Sequence, residues 1–335
     1  MAGHEKTKEQ GSAGSEQAGQ GKAGRIIRGL APWAVSIGII GYIVATGNMT
    51  QVREEFMKGD AVIFLAVTIP FLLGLLGLET VFLYLGFQWF AGVGRMTDLL
   101  RARAATYLLT VVSIFVGLGG LVVYGKRKYG VTYTRGTTVM LNELLHELAS
   151  QCTLAMMVGL LLPVSQIPEG AAAQVNGVKI VGMAGVGFYV FCVVLAQASR
   201  LLPDSWRRDH VFDKFVDIEL WQYAVFYLIK LAQNILYGLF LAGLLLAFSI
   251  KPPLIVSLGF MQVIHLTRAI PVSAFGIGVD QIAIEYLLKA WETSPGQLLA
   301  CSMVFTFTLI AGRALLGVPF LKGVFDDLVE RPGEM

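Results

Sequence analysis

The sequence predicts an all-α, polytopic membrane protein with about six transmembrane helices and two re-entrant hairpins of broken helix, arranged as two inverted halves. Three observations predict this fold class. Hydrophobic residues make up 55% of the chain and charged residues only 15%, whereas soluble proteins carry roughly 25% charged residues. The mean hydropathy is +0.66. Three intervals, 29–52, 104–125 and 231–250, contain no Asp, Glu, Lys or Arg, and each is close to the ~20 apolar residues that cross a bilayer as a helix.

The N-terminal segment differs in composition from the rest of the chain. Residues 1–24 are rich in Gly, Ser, Gln, Glu and Lys, and such a composition does not support a folded core, so we expect a disordered cytoplasmic tail. The first span follows at about 29–47. Basic residues concentrate on the cytoplasmic side of membrane proteins, and five precede this span: Lys6, Lys8, Lys22, Arg25 and Arg28.

One membrane domain is expected from 25 to 325. It comprises a first half at 25–165 and an inverted second half at 177–320, and a short C-terminal tail follows at 326–335. Its other spans are the apolar runs at about 61–94, 136–164, 179–199, 217–250 and 295–316. The segments 95–103 and 200–214 are basic, whereas 165–178 contains no Lys or Arg. The sequence therefore predicts a multi-pass protein of the cell inner (cytoplasmic) membrane with both termini in the cytoplasm.

Two apolar segments do not fit a simple span. Segment 104–125 has basic clusters on both sides, and the charge rule favours both clusters in the cytoplasm. We therefore favour a re-entrant hairpin that breaks at the glycines of 117–120, with a span as the alternative. Segment 254–288 predicts a second hairpin, because a Pro- and Gly-rich centre separates four ionisable residues: His265, Arg268, Asp280 and Glu285. Inverted repeats with broken helices are a recurring plan of transporters.

Residues 269–280 read AIPVSAFGIGVD. This stretch resembles the flippase-like family that includes the transmembrane half of lysylphosphatidylglycerol synthases, in which Pro-x-Ser and Gly-x-Gly-Val precede an acidic residue. The stretch at 98–131 is similar to the first half of that family, so the resemblance covers about 26–325. The chain departs from the family at Ala274 and Phe275, where two glycines are usual, and at Asp280 and Gln281, where Arg-Glu is usual. The resemblance implies movement of a lipid or lipid-linked head group between leaflets.

The break of the second hairpin is the predicted substrate site. An arginine offers a planar fork of donors that suits a phosphate, and glycine backbone at a helix N-terminus adds N–H donors. We expect Asp280 and Glu285 to balance charge or take protons. The alternative is a structural ion pair between Arg268 and one of these carboxylates. The predicted substrate-binding residues are Arg268, Pro271, Ser273, Gly276, Gly278, Asp280, Glu285 and Arg103.

A second set of ionisable residues lies within the spans, where an isolated charge is costly and therefore indicates a functional candidate. The spacing of Glu143, His146 and Glu147 places them on one helix face. This face is interpreted as a proton-handling surface or as a partner for Arg101 or Arg103. A zinc site is not expected, because Ser150 stands where the His-Glu-x-x-His motif requires its second histidine.

Glu79 and Lys230 complete the predicted proton-handling or charge-pairing set with Glu143 and Glu147. Glu79 lies in the middle of its span, and we expect it to pair across the bundle with Lys230 or Arg313. For Lys230 the favoured alternative is a local pair, or an extension of the side chain towards the membrane surface.

Two functions from different classes remain open. The first is a flippase-type transporter of a phospholipid or polyprenyl-phosphate-linked head group, with proton coupling as an option. The second is the lipid-handling membrane half, or partner, of an aminoacyl-phospholipid synthase. We expect no enzyme activity and no cofactor, because Gly-x-Ser-x-Gly and P-loop motifs are absent from the sequence. The expected partner is a membrane lipid or lipid-linked substrate and not nucleic acid, and a homo-oligomer or a separate lipid-modifying enzyme stays open.

Overall fold

The computed structural model describes residues 38, 41, 49–198, 218–269, 277–291 and 293–329. Within these ranges the chain is helical and contains no β-strand. The predicted tail at 1–24 and most of the predicted tail at 326–335 lie outside the described residues, whereas 326–329 are helical. Most of the first predicted span and the basic segment at 200–214 also lie outside the described residues.

Eleven α-helices occur in the described ranges: α1 (Met49–Lys58), α2 (Ala61–Ala91), α3 (Met96–Val112), α4 (Ile114–Tyr129), α5 (Tyr133–Leu161), α6 (Ala172–Ala198), α7 (Leu220–Ala247), α8 (Leu254–Ala269), α9 (Val279–Leu288), α10 (Pro295–Gly317) and α11 (Leu321–Val329). Short 3₁₀ turns at Val164–Gln166 and Val318–Phe320 lie between α5 and α6 and between α10 and α11.

Five of the helices are long and apolar enough to cross a membrane: α2, α5, α6, α7, and α10 with its continuation to Leu328. At 1.5 Å per residue each exceeds the ~30 Å hydrocarbon core of a bilayer. These five helices coincide with five of the six predicted spans, and the sixth, at 29–47, falls largely outside the described residues. The five apolar helices indicate a membrane protein, as the composition predicts.

Helices α3 and α4 fold back on each other. The chain leaves the helical conformation at Ser113, which is extended (φ −166°, ψ 141°). The Tyr129 hydroxyl at the end of α4 accepts from the Arg95 N–H at 3.2 Å and donates to Asp98 at 3.3 Å, so the end of α4 lies beside the start of α3. Burial and the negative charge of Asp98 raise the pKa of Tyr129 to about 12, so this hydroxyl stays protonated at neutral pH.

The glycines of 117–120 do not form the break, and the prediction that placed it there is wrong. They lie inside α4, where they allow α3 and α4 to approach closely. A Cβ atom at Gly117 would lie 2.3 Å from Thr110 Oγ1, and one at Gly120 would lie 2.8 Å from Leu109 Cδ1. At Gly117 and Gly120 the absence of a side chain therefore permits close packing of α3 and α4. The backbone there is helical and does not use the conformational freedom of glycine.

Helices α8 and α9 form a second antiparallel pair. Trp291, just beyond the end of α9, packs edge-on against Phe260 of α8 with ring centroids 5.4 Å apart. Gly278 precedes α9 with a φ of +89°, which favours glycine. Residues 270–276, which join the two helices, lie outside the described part of the chain.

Helices α2, α5 and α7 pack against one another. Helices α2 and α7 are antiparallel, since the Asp60 N–H donates to the Ala247 carbonyl at 2.9 Å. Helices α5 and α6 touch at the backbone, because a Cβ atom at Gly182 would lie 2.4 Å from the Met156 nitrogen. At one end of the bundle, α11 is tied to α4 by an ion pair of 2.6 Å between Lys128 Nζ and Asp327 Oδ1.

Candidate functional site

Helices α5 and α7 each carry a continuous polar stripe. The stripe on α7 comprises Lys230, Gln233, Asn234 and Tyr237, all buried. The stripe on α5 comprises Glu143, His146, Glu147, Ser150 and Gln151. Spacings of three, four and seven residues place each set on one helix face. The two faces meet, because Asn234 Nδ2 donates to Ser150 Oγ at 2.8 Å. The centre of the bundle is therefore polar.

Five charged side chains from α2, α3, α5 and α7 meet at this interface and are called the ion cluster: Glu79, Arg103, Glu143, Glu147 and Lys230. Arg103 Nε donates to Glu79 Oε2 at 2.6 Å, and Arg103 Nη2 donates to Glu143 Oε1 at 3.2 Å. Lys230 Nζ lies 3.1 Å from Glu143 Oε1 and 3.1 Å from Glu147 Oε2. Glu143 is thus shared between two cations, and Lys230 between two carboxylates.

The ion cluster is buried near the middle of the long helices. Glu79, Glu143 and Lys230 are 2%, 4% and 1% exposed. Glu79 lies about 18 Å along α2 from Ala91, and Glu143 and Lys230 lie about 15 Å from the first residues of α5 and α7. Charges at such depth are costly, and the pairing of each with an opposite charge offsets part of that cost.

Two tyrosines and a third cation extend the ion cluster towards α10. The Tyr107 hydroxyl on α3 donates to Glu79 Oε2 at 2.7 Å. The Arg313 guanidinium lies 5.4 Å from the centroid of the Tyr107 ring and donates to the Tyr237 hydroxyl. With Arg313 included, three carboxylates face three cations, so the assembled group is neutral overall.

Several ion-pair partners differ from the sequence predictions. The partner of Glu79 is Arg103, and neither Lys230 nor Arg313 lies within ion-pair distance of it. Arg103 bridges Glu79 and Glu143, so its expected pairing with the Glu143 face is confirmed, while its role as a substrate contact stays a prediction. Arg101, the alternative partner for the Glu143 face, is exposed.

Lys230 forms no ion pair on its own helix and does not extend to the surface, but its Nζ donates locally to Gln233 Oε1 at 3.0 Å. It is held in the interior by Glu143 and Glu147, which lie about 85 residues away in the chain and on another helix. Its ammonium also lies 4.8 Å from the centroid of the Phe82 ring. Two carboxylates and an aromatic face compensate the Lys230 charge. An extended side chain with its ammonium in water would therefore not be more stable.

The predicted phosphate site is only partly described. Pro271, Ser273, Gly276 and the side chain of Arg268 lie outside the described residues. Asp280 is buried and accepts from Thr306 Oγ1 at 3.1 Å. The Gly278 N–H donates to Gln281 Oε1 at 2.6 Å.

Glu285 lies on the exposed side of α9, so it faces away from the buried Asp280, and the expected role of both carboxylates stays a prediction. The two side chains face different sides because five residues correspond to a rotation of about 140° around a helix.

An apolar groove runs along the outside of the bundle between α1, the first turns of α2, and α10; it is called the lateral groove. Its volume is about 900 Å³. Phe56, Met57 and Phe307 line it and are more than half exposed, so the groove opens to the surface of the bundle. Arg53 and Asp60 lie on its lining, as do Gln281 and Thr306 beside Asp280.

Sequence reasoning missed Tyr107, Gln233, Asn234 and Tyr237 and gave Arg313 only a pairing role. A signal was available for α7, because 230, 233, 234 and 237 repeat with helical spacing in an apolar run. Tyr107 has no such signal, since its contact with Glu79 joins residues from two different helices.

The described residues hold no group of three or more His, Cys, Asp or Glu side chains placed to bind a metal ion. No family model matches the chain, and no curated protein or solved structure matches it either.

Proposed function

We propose that this protein is a lipid transporter of the flippase type, which moves a phospholipid or polyprenyl-phosphate-linked head group between leaflets. One observation supports the proposal: the ion cluster and Arg313, which together are neutral, lie among apolar helices long enough to cross a membrane, and the side of this bundle bears an apolar groove. A lipid has a charged head and hydrocarbon chains, and a carrier must offer a compatible environment to each. The polar stripes of α5 and α7 suit the head group, and the lateral groove suits the chains.

The proposed membrane arrangement has six spans and two re-entrant hairpins in two inverted halves, with both termini in the cytoplasm of the cell inner membrane. Helices α3 and α4 have 17 and 16 residues, or about 25 Å each, which is shorter than a full crossing. Lys126, Arg127 and Lys128 end α4, and Arg95 precedes α3. A return to the starting side keeps all these charges in the cytoplasm. Helices α8 and α9 are the corresponding broken element of the second half.

Glu143 is the proposed proton-coupling group. Its Oε1 accepts from both Arg103 and Lys230, while its Oε2 is buried without a hydrogen-bond partner among the described residues. Protonation of Glu143 would leave Arg103 with Glu79 and Lys230 with Glu147. The cluster would then carry one more positive charge, which favours an anionic head group. Release of the proton restores the shared arrangement.

Lipid movement in proteoliposomes tests this function. Purified protein is reconstituted with fluorescent phosphatidylglycerol, and the fraction accessible to an impermeant quencher is followed with and without a pH gradient. We expect the wild-type protein to move lipid and Glu143→Gln to be at least tenfold slower, because glutamine cannot titrate. Glu169→Gln, in an exposed loop, is the matched control and should behave as wild type.

Absence of lipid movement by the wild-type protein under both conditions would contradict the transporter. If a co-purifying enzyme then restored modification of phospholipid head groups, the chain would be the lipid-handling partner of a synthase.

A further inference from the structure

Arg313 differs from the other two cations of the site in its partners. Arg103 and Lys230 each lie within ion-pair distance of two carboxylates. Among the described residues, no carboxylate lies within 4.0 Å of the Arg313 guanidinium. Glu79, one of the three carboxylates of the ion cluster, is already engaged by Arg103 and by the Tyr107 hydroxyl. The group is neutral as a whole, but among the described residues no carboxylate compensates the Arg313 charge by direct contact.

The guanidinium also has unused donors. An arginine has five N–H donors, and Arg313 donates through Nη2 to the Tyr237 hydroxyl. Its Nε is buried without a hydrogen-bond partner among the described residues. A buried donor on a charged group that lacks an acceptor is costly. The aromatic face of Tyr107 offsets part of the charge but accepts no strong hydrogen bond.

We propose that Arg313 binds the phosphate group of an anionic lipid. The inference rests on the proposed function and names a head-group residue within it. A phosphate places negative charge in direct contact with the guanidinium, and its paired acceptor oxygens match the planar fork of that group. The Tyr237 hydroxyl accepts from the same guanidinium and is a second polar group beside it.

The lateral groove and this arginine share helix α10. Thr306 and Ile310 line the groove, and Arg313 follows them on the same helix face, at i, i+4 and i+7. The rise from Thr306 to Arg313 is about 10 Å. A lipid with its phosphate at Arg313 can therefore place hydrocarbon in the groove. The ligand class is a phosphate ester that carries apolar chains, and inorganic phosphate is the alternative source of the same anion.

Binding to the full-length protein in detergent micelles tests the proposal without requiring transport. The probes are dihexanoyl phosphatidate, inorganic phosphate, and dihexanoylglycerol, which lacks the phosphate. We expect wild-type protein to bind the phosphatidate at least tenfold more tightly than either other probe. Arg313→Gln should lose at least tenfold in affinity for the phosphatidate, and Arg313→Lys should lose at least threefold. Arg101→Gln, at an exposed arginine, is the control and should bind as wild type.

Phosphatidate affinity of Arg313→Gln within twofold of the wild-type value would overturn the site. Equal affinity for phosphatidate and dihexanoylglycerol would do so as well. Equal affinity for phosphatidate and for inorganic phosphate would show that Arg313 binds a free anion, and would overturn the lipid as its ligand. If Arg313→Gln does not purify as a monodisperse protein, Arg313→Lys decides, and unchanged affinity in that variant refutes the proposal. Tight, Arg313-dependent binding by a protein that moves no lipid would refute the transporter and leave the site standing.

Discussion

Replacement of Arg103 by glutamine is expected to destabilise the folded protein by about 3–5 kcal/mol, the range observed when one partner of a buried ion pair is removed. Arg103 is the direct cationic partner of Glu79. Without it, the Glu79 carboxylate keeps only the Tyr107 hydroxyl, while Glu143 keeps Lys230. The free energy of unfolding, measured in mixed micelles with increasing sodium dodecyl sulfate, gives the loss directly.

Two variants separate the ion pair from a general effect of losing an arginine on α3. Arg101→Gln, at an exposed position on the same helix, should change stability by less than about 0.5 kcal/mol. The double variant Arg103→Gln with Glu79→Gln removes the uncompensated carboxylate and should recover at least half of the loss. Equal stability of Arg103→Gln and the wild-type protein would show that the pair is not buried in the way described.

Lys230→Met is expected to have the second largest effect, about 3 kcal/mol of lost stability. Methionine keeps the length of the side chain, so the change isolates the charge. Glu147 would retain the amides of Gln151 and Gln233, which is why the cost should fall below that for Arg103. The same unfolding measurement checks this value.

The exposed Lys322 of α11 provides the control, and Lys322→Met should unfold as the wild-type protein does. Adding Glu147→Gln to Lys230→Met should restore part of the lost stability, since it removes a carboxylate that has no cation left. A Lys230→Met protein as stable as the wild type would mean that the lysine charge is solvated and not held by the ion cluster.

Five apolar helices were predictable because membrane crossing imposes a simple length requirement on apolar runs. The fold-back of α4 on α3 agrees with a hairpin, and its re-entry into the membrane stays a prediction. The position of the break was not predictable. Glycine favours both a broken helix and a close helix contact, and composition alone does not distinguish them. At Gly117 the close contact is the one formed, and the chain turns four residues earlier, at Ser113.

The members of the ion cluster were largely predictable, but of their pairing only the contact between Arg103 and the Glu143 face was anticipated. An ionisable residue inside an apolar run is a candidate wherever it occurs, and this rule selects Glu79, Glu143, Glu147 and Lys230. The pairs join residues that are 24, 40 and 87 positions apart. Packing decides which helices are in contact, and these contacts are not evident from a single sequence. The role of Arg313 is visible only once the partners of the other cations are known.

The most direct test of the central claim is the sidedness of single cysteines in sealed membranes. The cysteines introduced are Thr97→Cys, Arg127→Cys and Glu169→Cys, all at exposed positions, in a protein whose own cysteines have been replaced: Cys152, Cys192 and Cys301. If α3 and α4 enter and leave by the same face, an impermeant maleimide should label positions 97 and 127 from the cytoplasm and position 169 from outside. Labelling of 97 and 127 from opposite faces would contradict the re-entrant hairpin and the two inverted halves.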